Sequence, residues 1–173
     1  MEISYSEVVK FHGHSCPGLA IGYRMTQAAM DFLQIERPKD EELVAIVEND
    51  ACGVDAVQYL SGCTFGKGNL IFKDFGKMVY TFYDRKSKRA VRIIRKSLTR
   101  KKIDDQSREQ KIQSILNSSS QEFFKIKEVT IKEPEFARLL DTAVCDECNE
   151  TAVESKTHKL ENKILCQPCF EKN

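Results

Sequence analysis

The sequence predicts an α+β domain followed by a small cysteine-rich module, and three observations lead to this fold class. The apolar run that begins at Pro17 has the length of a helix, and proline suits the first helical turn, where no amide donor is needed. Residues 43–47 (LVAIV) form a continuous apolar run of strand length, which is typical of a strand buried on both faces. Four of the seven cysteines are concentrated between residues 145 and 169.

A chain of 173 residues has room for one domain of ordinary size and one small module. The hydrophobic fraction of 41% supports a buried core, and the net charge of +1 argues against a uniformly basic nucleic-acid-binding protein. No apolar run approaches the roughly 20 residues that span a bilayer, and the first residues lack the features of a signal peptide. Seven cysteines leave one unpaired if disulfides form, so a reducing compartment fits better. We therefore expect a cytoplasmic protein without a membrane span.

The segment 11–18 (FHGHSCPG) concentrates the chemically active side chains of the first half of the chain. It places His12, His14 and Cys16 within five residues, just before the helix that starts at Pro17. Cys16 therefore lies at a helix N-terminus, where free amides and the helix dipole favour a thiolate over a thiol. Imidazole and thiolate groups this close together indicate a metal site or a reactive cysteine, in preference to an ordinary loop.

A second cysteine occupies the same local setting as the first. Cys52 follows the predicted strand 43–47, and Asp50 is expected to cap the helix that begins there. Ligand-binding turns of α/β folds lie just past strand ends. We therefore expect Cys16 and Cys52 to converge on one site. The simpler alternative is that Cys52 is a small buried hydrophobic residue.

The next segment combines a glycine-rich loop with two short strands. Residues 62–68 contain three glycines, Cys63 and Lys67, but the spacing of a phosphate-binding Walker motif is absent. The loop is instead expected to close over the site and to present Cys63 or Lys67. Residues 70–73 and 78–83 are predicted strands, and the glycine-containing turn between them predicts a β-hairpin.

A strongly basic strip covers residues 85–102, in which ten of eighteen residues are Lys or Arg and none is acidic. Residues 90–94 within the strip have the pattern of a strand with outward-pointing arginines. One interpretation is a solvated edge strand whose charges discourage aggregation. The other is a docking surface for an anionic partner, either nucleic acid or an acidic protein. We favour the edge strand, because the aromatic residues typical of single-strand binders are not interleaved.

Residues 104–120 predict a polar amphipathic helix with too few apolar residues to be stable alone. Such a helix needs support from the core or from another copy of the chain, which is one reason to expect a homodimer. A strand is predicted near residues 123–131. The predicted domains are therefore 1–103 for the α+β domain, 104–140 for the helix, strand and connecting segment, and 141–173 for the cysteine-rich module.

The C-terminal module carries the most specific pattern in the sequence. Two C-x-x-C pairs are separated by seventeen residues, which is the ligand spacing of a four-cysteine zinc ribbon. About 30 residues cannot bury enough apolar surface alone, so a structural zinc is expected to supply the folding energy. Disulfides or a thioredoxin-type active pair are alternatives that this spacing disfavours. The four predicted zinc ligands are Cys145, Cys148, Cys166 and Cys169.

Three motifs together resemble the FmdE family, which is named after formylmethanofuran dehydrogenase. They are FHGHSCPGLAIGYR at residues 11–24, CGVDAVQ at 52–58 and GCTFGKGN at 62–69, and the resemblance covers residues 5–100. It implies an α+β domain with a mixed β-sheet flanked by helices, thioredoxin-like in outline. Some members of the family resemble this chain in carrying a C-terminal zinc ribbon, and two-domain members imply a homodimer.

The resemblance also implies a site and a kind of partner. The positions shared by the family correspond to His14, Cys16 and Cys52, which are proposed to form a metal or redox site, with His12 and Cys63 as possible further members. The family name comes from genes beside a molybdenum or tungsten enzyme that reduces carbon dioxide onto methanofuran, so such a metalloenzyme is a possible partner. The first hundred residues contain neither a molybdopterin-binding pattern nor iron–sulfur spacing, so the chain is not expected to be the catalytic dehydrogenase.

Three hypotheses for the function follow, in decreasing order of preference. The first is a metal-binding accessory protein with a second transition metal, preferably zinc, in the N-terminal domain. The second is a thiol-based redox enzyme in which Cys16 is the reactive thiolate. Its base would be His14 or His12, and its resolving thiol would be Cys52 or Cys63. The third is an interaction module in which the ribbon and the basic strip bind nucleic acid or protein. Whether the chain is an enzyme stays open.

Overall fold

The computed structural model describes residues 3–96, 107–137 and 140–172. The chain divides into two compact units, Met1–Phe136 and Ala137–Asn173. Within the described residues, the first unit contains a five-stranded sheet and five helices, and the second contains two two-stranded sheets and short helical turns. None of the described helices combines the length and the hydropathy of a membrane span.

The first unit contains runs of helices and a run of three consecutive strands, as expected for an α+β domain. The predicted start of the long helix at Pro17 and the predicted buried strand 43–47 are confirmed, because the helix starts at Pro17 and residues 43–47 are almost fully buried. The elements are α1 (Tyr5–His12), α2 (Pro17–Leu33), β1 (Leu43–Val47), α3 (Gly53–Ser61), β2 (Leu70–Phe72), β3 (Val79–Asp84), β4 (Arg89–Arg95), α4 (Arg108–Asn117), α5 (Ser120–Phe123) and β5 (Phe124–Val129).

The sheet of the first unit is mixed, with the strand order β2-β1-β3-β4-β5. β2 runs parallel to β1, and all the other neighbouring strands are antiparallel. In this register Ala45 of β1 lies between Leu70 of β2 and Phe82 of β3. Helices α2, α3 and α4 pack against one face of the sheet. The predicted fold class, a mixed sheet flanked by helices, is confirmed.

The predicted hairpin between β2 and β3 is wrong, because β1 lies between the two strands. The connection 73–77 crosses the end of β1 instead of folding back on itself. Lys73 donates its backbone N–H to the carbonyl oxygen of Val47, and Lys77 donates to that of Glu48, at 2.9 Å in each case. A glycine-containing turn is compatible with either path. The crossing gives β1 hydrogen-bonded neighbours on both edges, as a strand buried on both faces requires.

The predicted edge position of the basic strand is also wrong. β4 lies inside the sheet, between β3 and β5, and two of its arginines bind carboxylates of the same chain. Arg89 donates to Glu128 at 2.7 Å, and Arg92 is paired with the buried carboxylate of Glu48. The alternation of charged and apolar residues cannot distinguish an edge strand from an inner strand whose charges are paired. Residues 97–102 of the basic strip lie outside the part of the chain that the structure describes.

The main core lies between the sheet and the three helices that cover it. Its buried side chains include Met25, Ala45, Val57, Tyr80, Phe82, Val91 and Ile93. A smaller cluster on the opposite face of the sheet contains Val44, Tyr83 and Ala90, with Ile131 packed against it. Successive residues of β1 therefore serve two different clusters, which explains why the whole strand is apolar.

The helix predicted for residues 104–120 is two helices, α4 and α5, and its first three residues lie outside the described part of the chain. Ile112 and Ile115 of α4 enter the main core. Arg24 of α2 donates to the carbonyl oxygen of Ser118 at 2.9 Å. The described part of this polar segment is therefore supported by its own chain.

The second unit consists of two antiparallel hairpins and a short helix. The elements are β6 (Thr142–Val144), β7 (Thr151–Val153), a 3-10 turn (Glu154–Lys156), β8 (Thr157–Leu160), β9 (Lys163–Cys166) and α6 (Gln167–Phe170), with β6 paired to β7 and β8 to β9. Its buried core contains Leu165 and three of the cysteines, with Ala152 packed against them. Apolar burial of this extent is too small to hold about 30 residues together, so the unit needs a further source of stability.

Candidate metal centres

Two glycines set the position of the first candidate site. Where α2 crosses α3, a Cβ atom on Gly22 would lie 2.2 Å from the carbonyl oxygen of Gly53, so only glycine permits this approach. The crossing brings the N-termini of the two helices together. Cys16 occupies the N-cap position of α2, and Cys52, not the expected Asp50, occupies that of α3. The prediction that both cysteines begin helices is confirmed.

Four side chains meet at this crossing and form what we call the His/Cys group. One ligand atom each of His12, His14, Cys16 and Cys52 lies within 4.8 Å of all the others. A tetrahedral zinc ion with bonds of about 2.0–2.3 Å separates its ligand atoms by about 3.3–3.8 Å, so small side-chain movements would complete such a sphere. Cys16 is buried, whereas His14 and Cys52 are exposed, so the group opens to solvent on one side.

The imidazole of His12 is oriented by a carboxylate. Its Nδ1 lies 2.6 Å from Oδ2 of Asp55, in the first turn of α3. Its Nε2 is buried and has no hydrogen-bond partner among the residues that the structure describes. Metal-binding histidines are commonly held in this way, with the second ring nitrogen donating to a carboxylate. A proton on Nδ1 leaves the lone pair of Nε2 available to a metal ion.

The turn after α1 places the second imidazole beside the first. Gly13 ends α1 with a φ of +94°, a conformation that glycine adopts without strain. The ring of His14 then lies 4.5 Å from that of His12, measured between ring centroids. The sequence H-G-H is therefore a helix end with one imidazole on each side of the glycine.

The two thiols of the His/Cys group influence each other. Sγ of Cys16 accepts a hydrogen bond from the backbone N–H of Leu19 at 3.3 Å. Burial, together with the hydrogen bond and charge of Cys16, raises the pKa of Cys52. The pair therefore resists carrying two negative charges on its own. A metal ion would stabilise both thiolates and would release protons on binding.

Cys63 does not belong to the His/Cys group. Its Sγ donates to the carbonyl oxygen of Leu43 at 3.3 Å, and burial raises its pKa to about 11. The loop 62–68 begins at the C-terminal end of α3, whereas Cys52 precedes the N-terminal end. A helix of nine residues is about 13 Å long, so the structure does not bring the start of this loop to the site.

The second candidate site, which we call the four-cysteine cluster, lies in the C-terminal unit. Its four sulfur atoms also lie within 4.8 Å of one another. Cys145 and Cys148 come from the turn after β6, while Cys166 caps α6 and Cys169 lies in its first turn. The N–H of Cys166 donates to Sγ of Cys145 at 3.3 Å, and backbone hydrogen bonds lower the pKa of Cys145 to about 6. These amides favour the thiolate form that a zinc ion requires.

The sequence did not predict two of the side chains that lie near the first site. Asp55 had a usable signal, because it lies three residues after Cys52 and therefore in the first turn of the helix that Cys52 begins. Tyr80 had none, because its position depends on how β3 packs beneath α3. A Cβ atom on Gly53 would lie 2.5 Å from the hydroxyl oxygen of Tyr80.

An α+β unit with a His/Cys group at a helix crossing, joined to a four-cysteine unit, defines a class of proteins with two candidate metal centres. Residues 11–132 match the family described as "FmdE, Molybdenum formylmethanofuran dehydrogenase operon". The chain belongs to this family.

Known proteins that are similar to the chain include one from Archaeoglobus fulgidus and one from Syntrophus aciditrophicus. The "Probable S-adenosyl-L-methionine-binding protein" of Archaeoglobus fulgidus is 28% identical over an alignment 175 residues long. The alignment covers 85% of this chain and 48% of that protein. The chain thus spans about half the length of this relative. The crystal structure of a "tungsten formylmethanofuran dehydrogenase subunit e (fmde)-like protein" from Syntrophus aciditrophicus superposes with a TM-score of 0.73 at 24% identity. The superposition covers 99% of this chain and 95% of the other, and it shows that the fold is shared.

Proposed function

We propose that the chain is a metal-binding accessory protein with two metal centres. In the first centre His14, Cys16 and Cys52, with His12 as the fourth donor, hold a transition metal. In the second, the four-cysteine cluster holds a structural zinc. Two imidazoles and two thiolates suit zinc and other borderline or soft cations and are poor ligands for hard ones. Zinc is therefore the expected ion in both centres.

The observation that carries this proposal is the buried Nε2 of His12, which has no partner among the described residues. A buried polar atom without a hydrogen bond costs about 1–3 kcal/mol. A metal ion bound to Nε2 would remove this cost, while Asp55 keeps the ring in place through Nδ1. A bound metal ion would thus explain both the unpaired Nε2 and the contact of Nδ1 with Asp55.

The residues of the first centre would have different roles. Cys16 is buried and anchored by the N-terminus of α2, so it would hold the ion throughout. His14 and Cys52 are exposed and lie on the side from which an ion or a small ligand can enter. Release of one of these exposed ligands would open a coordination position, at which the cation would act as a Lewis acid toward a carbonyl group or water.

We further propose that the first centre serves a partner enzyme. The family description refers to the operon of a molybdenum formylmethanofuran dehydrogenase, and the first hundred residues of this chain lack molybdopterin and iron–sulfur patterns. Delivering, sensing or supporting a metal beside a molybdenum or tungsten enzyme fits these facts. We also propose that the chain forms a homodimer in a reducing cytoplasm, where its seven cysteines do not form disulfides. Light scattering that shows a monomer at micromolar concentration would contradict the homodimer.

Elemental analysis of the purified full-length chain tests the first centre. The unmodified chain should contain two ions, and Cys16→Ser should contain one while keeping its fold. Cys63→Ser is the matched control, because this buried thiol lies outside both sites, and it should keep two ions. A single ion in the unmodified chain that Cys16→Ser retains would overturn the proposal.

A thiol-based redox enzyme is the second candidate, because the sulfur atoms of Cys16 and Cys52 lie within 4.8 Å of each other. Loss of two protons and two electrons to an acceptor would join them as a disulfide. Mild oxidation of protein that keeps zinc in the four-cysteine cluster but has an empty first centre should then remove two titratable thiols, and Cys52→Ser should abolish this loss. Rapid, reversible oxidation in the metal-loaded protein as well would favour the redox function over the metal-binding one.

The name of the Archaeoglobus relative suggests S-adenosyl-L-methionine as an additional ligand. A cavity of about 550 Å³ in the first unit has the volume of a small-molecule site, with Met30, Ile35 and Leu60 in its apolar lining. Asp31, Glu36 and Arg37 also line it, and the two carboxylates suit a cationic group such as a sulfonium. Equilibrium dialysis with this compound tests the assignment, and saturable binding weakened by Asp31→Asn is expected. Absence of binding at millimolar ligand would eliminate it.

Charge disfavours the nucleic-acid alternative. Residues 141–173 contain seven Asp and Glu residues against four Lys residues, a net charge of −3 before any thiolate is counted. Arg85, Arg89 and Arg92 of the basic strip are engaged with carboxylates of the same chain. Binding to a phosphate backbone depends on cations that are free to replace counterions. Steeply salt-dependent binding to oligonucleotides would reverse this ranking.

A further inference from the structure

Tyr80 places an unused hydrogen-bond donor close to the His/Cys group. It lies on the helix-facing side of β3 and is fully buried in the main core. Its hydroxyl has no hydrogen-bond partner within the described ranges. An unpaired buried hydroxyl destabilises a fold, so its presence at this position needs an explanation.

The hydroxyl lies at the crossing of α2 and α3. A Cβ atom on Gly53 would lie 2.5 Å from it and 3.1 Å from the carbonyl oxygen of Gly18. A Cβ atom on Gly18 would in turn lie 3.4 Å from Cβ of Cys52 and 3.9 Å from Sγ of Cys16. The phenol therefore ends at the same glycine-lined crossing that positions both thiols.

Asn49 does not satisfy this hydroxyl. Its Nδ2 donates to the carbonyl oxygen of Lys77 at 2.6 Å, and its Oδ1 accepts from the N–H of Ala51 at 3.2 Å. Burial raises the pKa of Tyr80, an effect that nearby Asn49 partly offsets and that negative charge on Cys52 reinforces. Asn49 is thus close, but no hydrogen-bond geometry joins the two side chains. The phenol stays a neutral donor whose surroundings include the Cys52 sulfur.

We propose that Tyr80 is a positioning residue for the first metal centre, whose hydroxyl donates a hydrogen bond to the Cys52 thiolate when the ion is bound. This inference rests on the proposed function, because the thiolate acceptor is stabilised by the ion. A metal-bound thiolate is a charged acceptor, and such bonds are stronger than those between neutral groups. Donors of this kind orient the ligand and reduce the charge that it transfers to the metal. No covalent bond changes, and the phenol keeps its proton.

Tyr80→Phe removes the hydroxyl and little else, and two opposite effects are expected. The metal-free first unit should resist urea better, because an unpaired buried group is gone. The affinity for Co²⁺ should fall about tenfold or more, the value of one hydrogen bond to a charged group. The thiolate-to-Co²⁺ charge-transfer band should also move to longer wavelength, because a thiolate without the hydrogen bond is the better electron donor.

The experiment uses the full chain with the four-cysteine cluster already loaded with zinc, and Co²⁺ is titrated into the remaining site. Tyr83→Phe is the matched control, because Tyr83 is a buried tyrosine on the opposite face of β3, and it should leave the Co²⁺ affinity and spectrum unchanged. If the unmodified chain binds no Co²⁺ outside the cluster, the proposed function fails and the inference fails with it. If it binds Co²⁺ and Tyr80→Phe has the same affinity and spectrum, only the inference fails. A Tyr80→Phe chain that is less stable without metal would mean that the hydroxyl already has a partner, which would also overturn the inference.

Discussion

The two candidate centres differ in what holds their ligands in place. The two thiols of the His/Cys group lie where two helices cross over a core of large apolar side chains, so the fold positions them before any ion binds. In the C-terminal unit the cysteines are themselves most of the core, with Leu165 as the main apolar companion. There the ion would create the structure that binds it. A preformed site can exchange its ion and remain folded, whereas a site that depends on its ion for folding cannot.

Loss of one cysteine from the four-cysteine cluster should give the largest effect. Cys166→Ser is expected to release the structural zinc, whose binding contributes about 10–16 kcal/mol in small zinc modules, and to unfold the C-terminal unit. Limited proteolysis with mass spectrometry should then show cleavage after residue 137 and an intact first unit. Retention of zinc together with the unmodified proteolysis pattern would contradict the contrast between the two centres.

Gly22→Ala should damage the first unit at the helix crossing. The added Cβ would lie 2.2 Å from the Gly53 backbone, so α2 and α3 must separate, at a cost of about 3 kcal/mol or more. The ion of the His/Cys group should be lost with the crossing, while the cluster keeps its own. Gly66→Ala is the control, because no atom lies within 4 Å of its added Cβ. Urea unfolding and metal analysis of both variants measure the difference, and equal behaviour would show that the crossing does not position the ligands.

Asp55→Asn should weaken metal binding in the first centre while the fold survives. Removing a carboxylate that orients a metal-binding histidine typically lowers affinity by about 10–100-fold. Competition with a chelator measures the affinity, and Asp74→Asn in the exposed connection 73–77 is the control. Unchanged affinity in Asp55→Asn would show that His12 does not bind the ion through Nε2.

The smallest expected effect is the change in stability with pH that comes from a thiol outside both centres. Burial raises the pKa of Cys63 from 9.0 to about 11 in the folded chain, so the folded state holds its proton more tightly than the unfolded state. The resulting stability is complete below pH 9 and is lost as the pH rises toward 11, by about 1 kcal/mol at pH 10. Urea unfolding at pH 8 and pH 10 should show this loss in the unmodified chain. The same measurement on Cys63→Ala should lack this contribution, and an equal loss there would assign it to another group.

Local signals in the sequence predicted the parts of both centres. Proline at a helix start located α2, the apolar run 43–47 located β1, and cysteine spacing located the four-cysteine cluster. Each of these signals lies within the segment that it describes. The same holds for Cys16 and Cys52, whose position at helix starts is a property of a few neighbouring residues.

The features that the sequence could not predict depend on contacts between residues far apart in the chain. The order β2-β1-β3 depends on which strands meet across the sheet, and a turn between two strands carries no information about a third. Likewise the contact of His12 with Asp55 joins residues that are 43 positions apart. Cys63 was a possible further member of the site, because it lies in the glycine-rich loop that was expected to close over it. The length of α3, however, places the thiols of Cys52 and Cys63 at opposite ends of a helix.

Because α1 lies at the periphery of the fold, metal binding should change the rate at which its amide hydrogens exchange with solvent. Only Val8 of its eight residues is buried, and a helix of this length is marginal by itself, so it should fray readily. His12, the last residue of α1, shares the candidate centre with Cys52 at the start of α3. An ion held by both would tie the end of α1 to the core. Amide hydrogens of α1 should therefore exchange with solvent slowly when the centre is loaded and quickly after chelation, while those of β1 barely change.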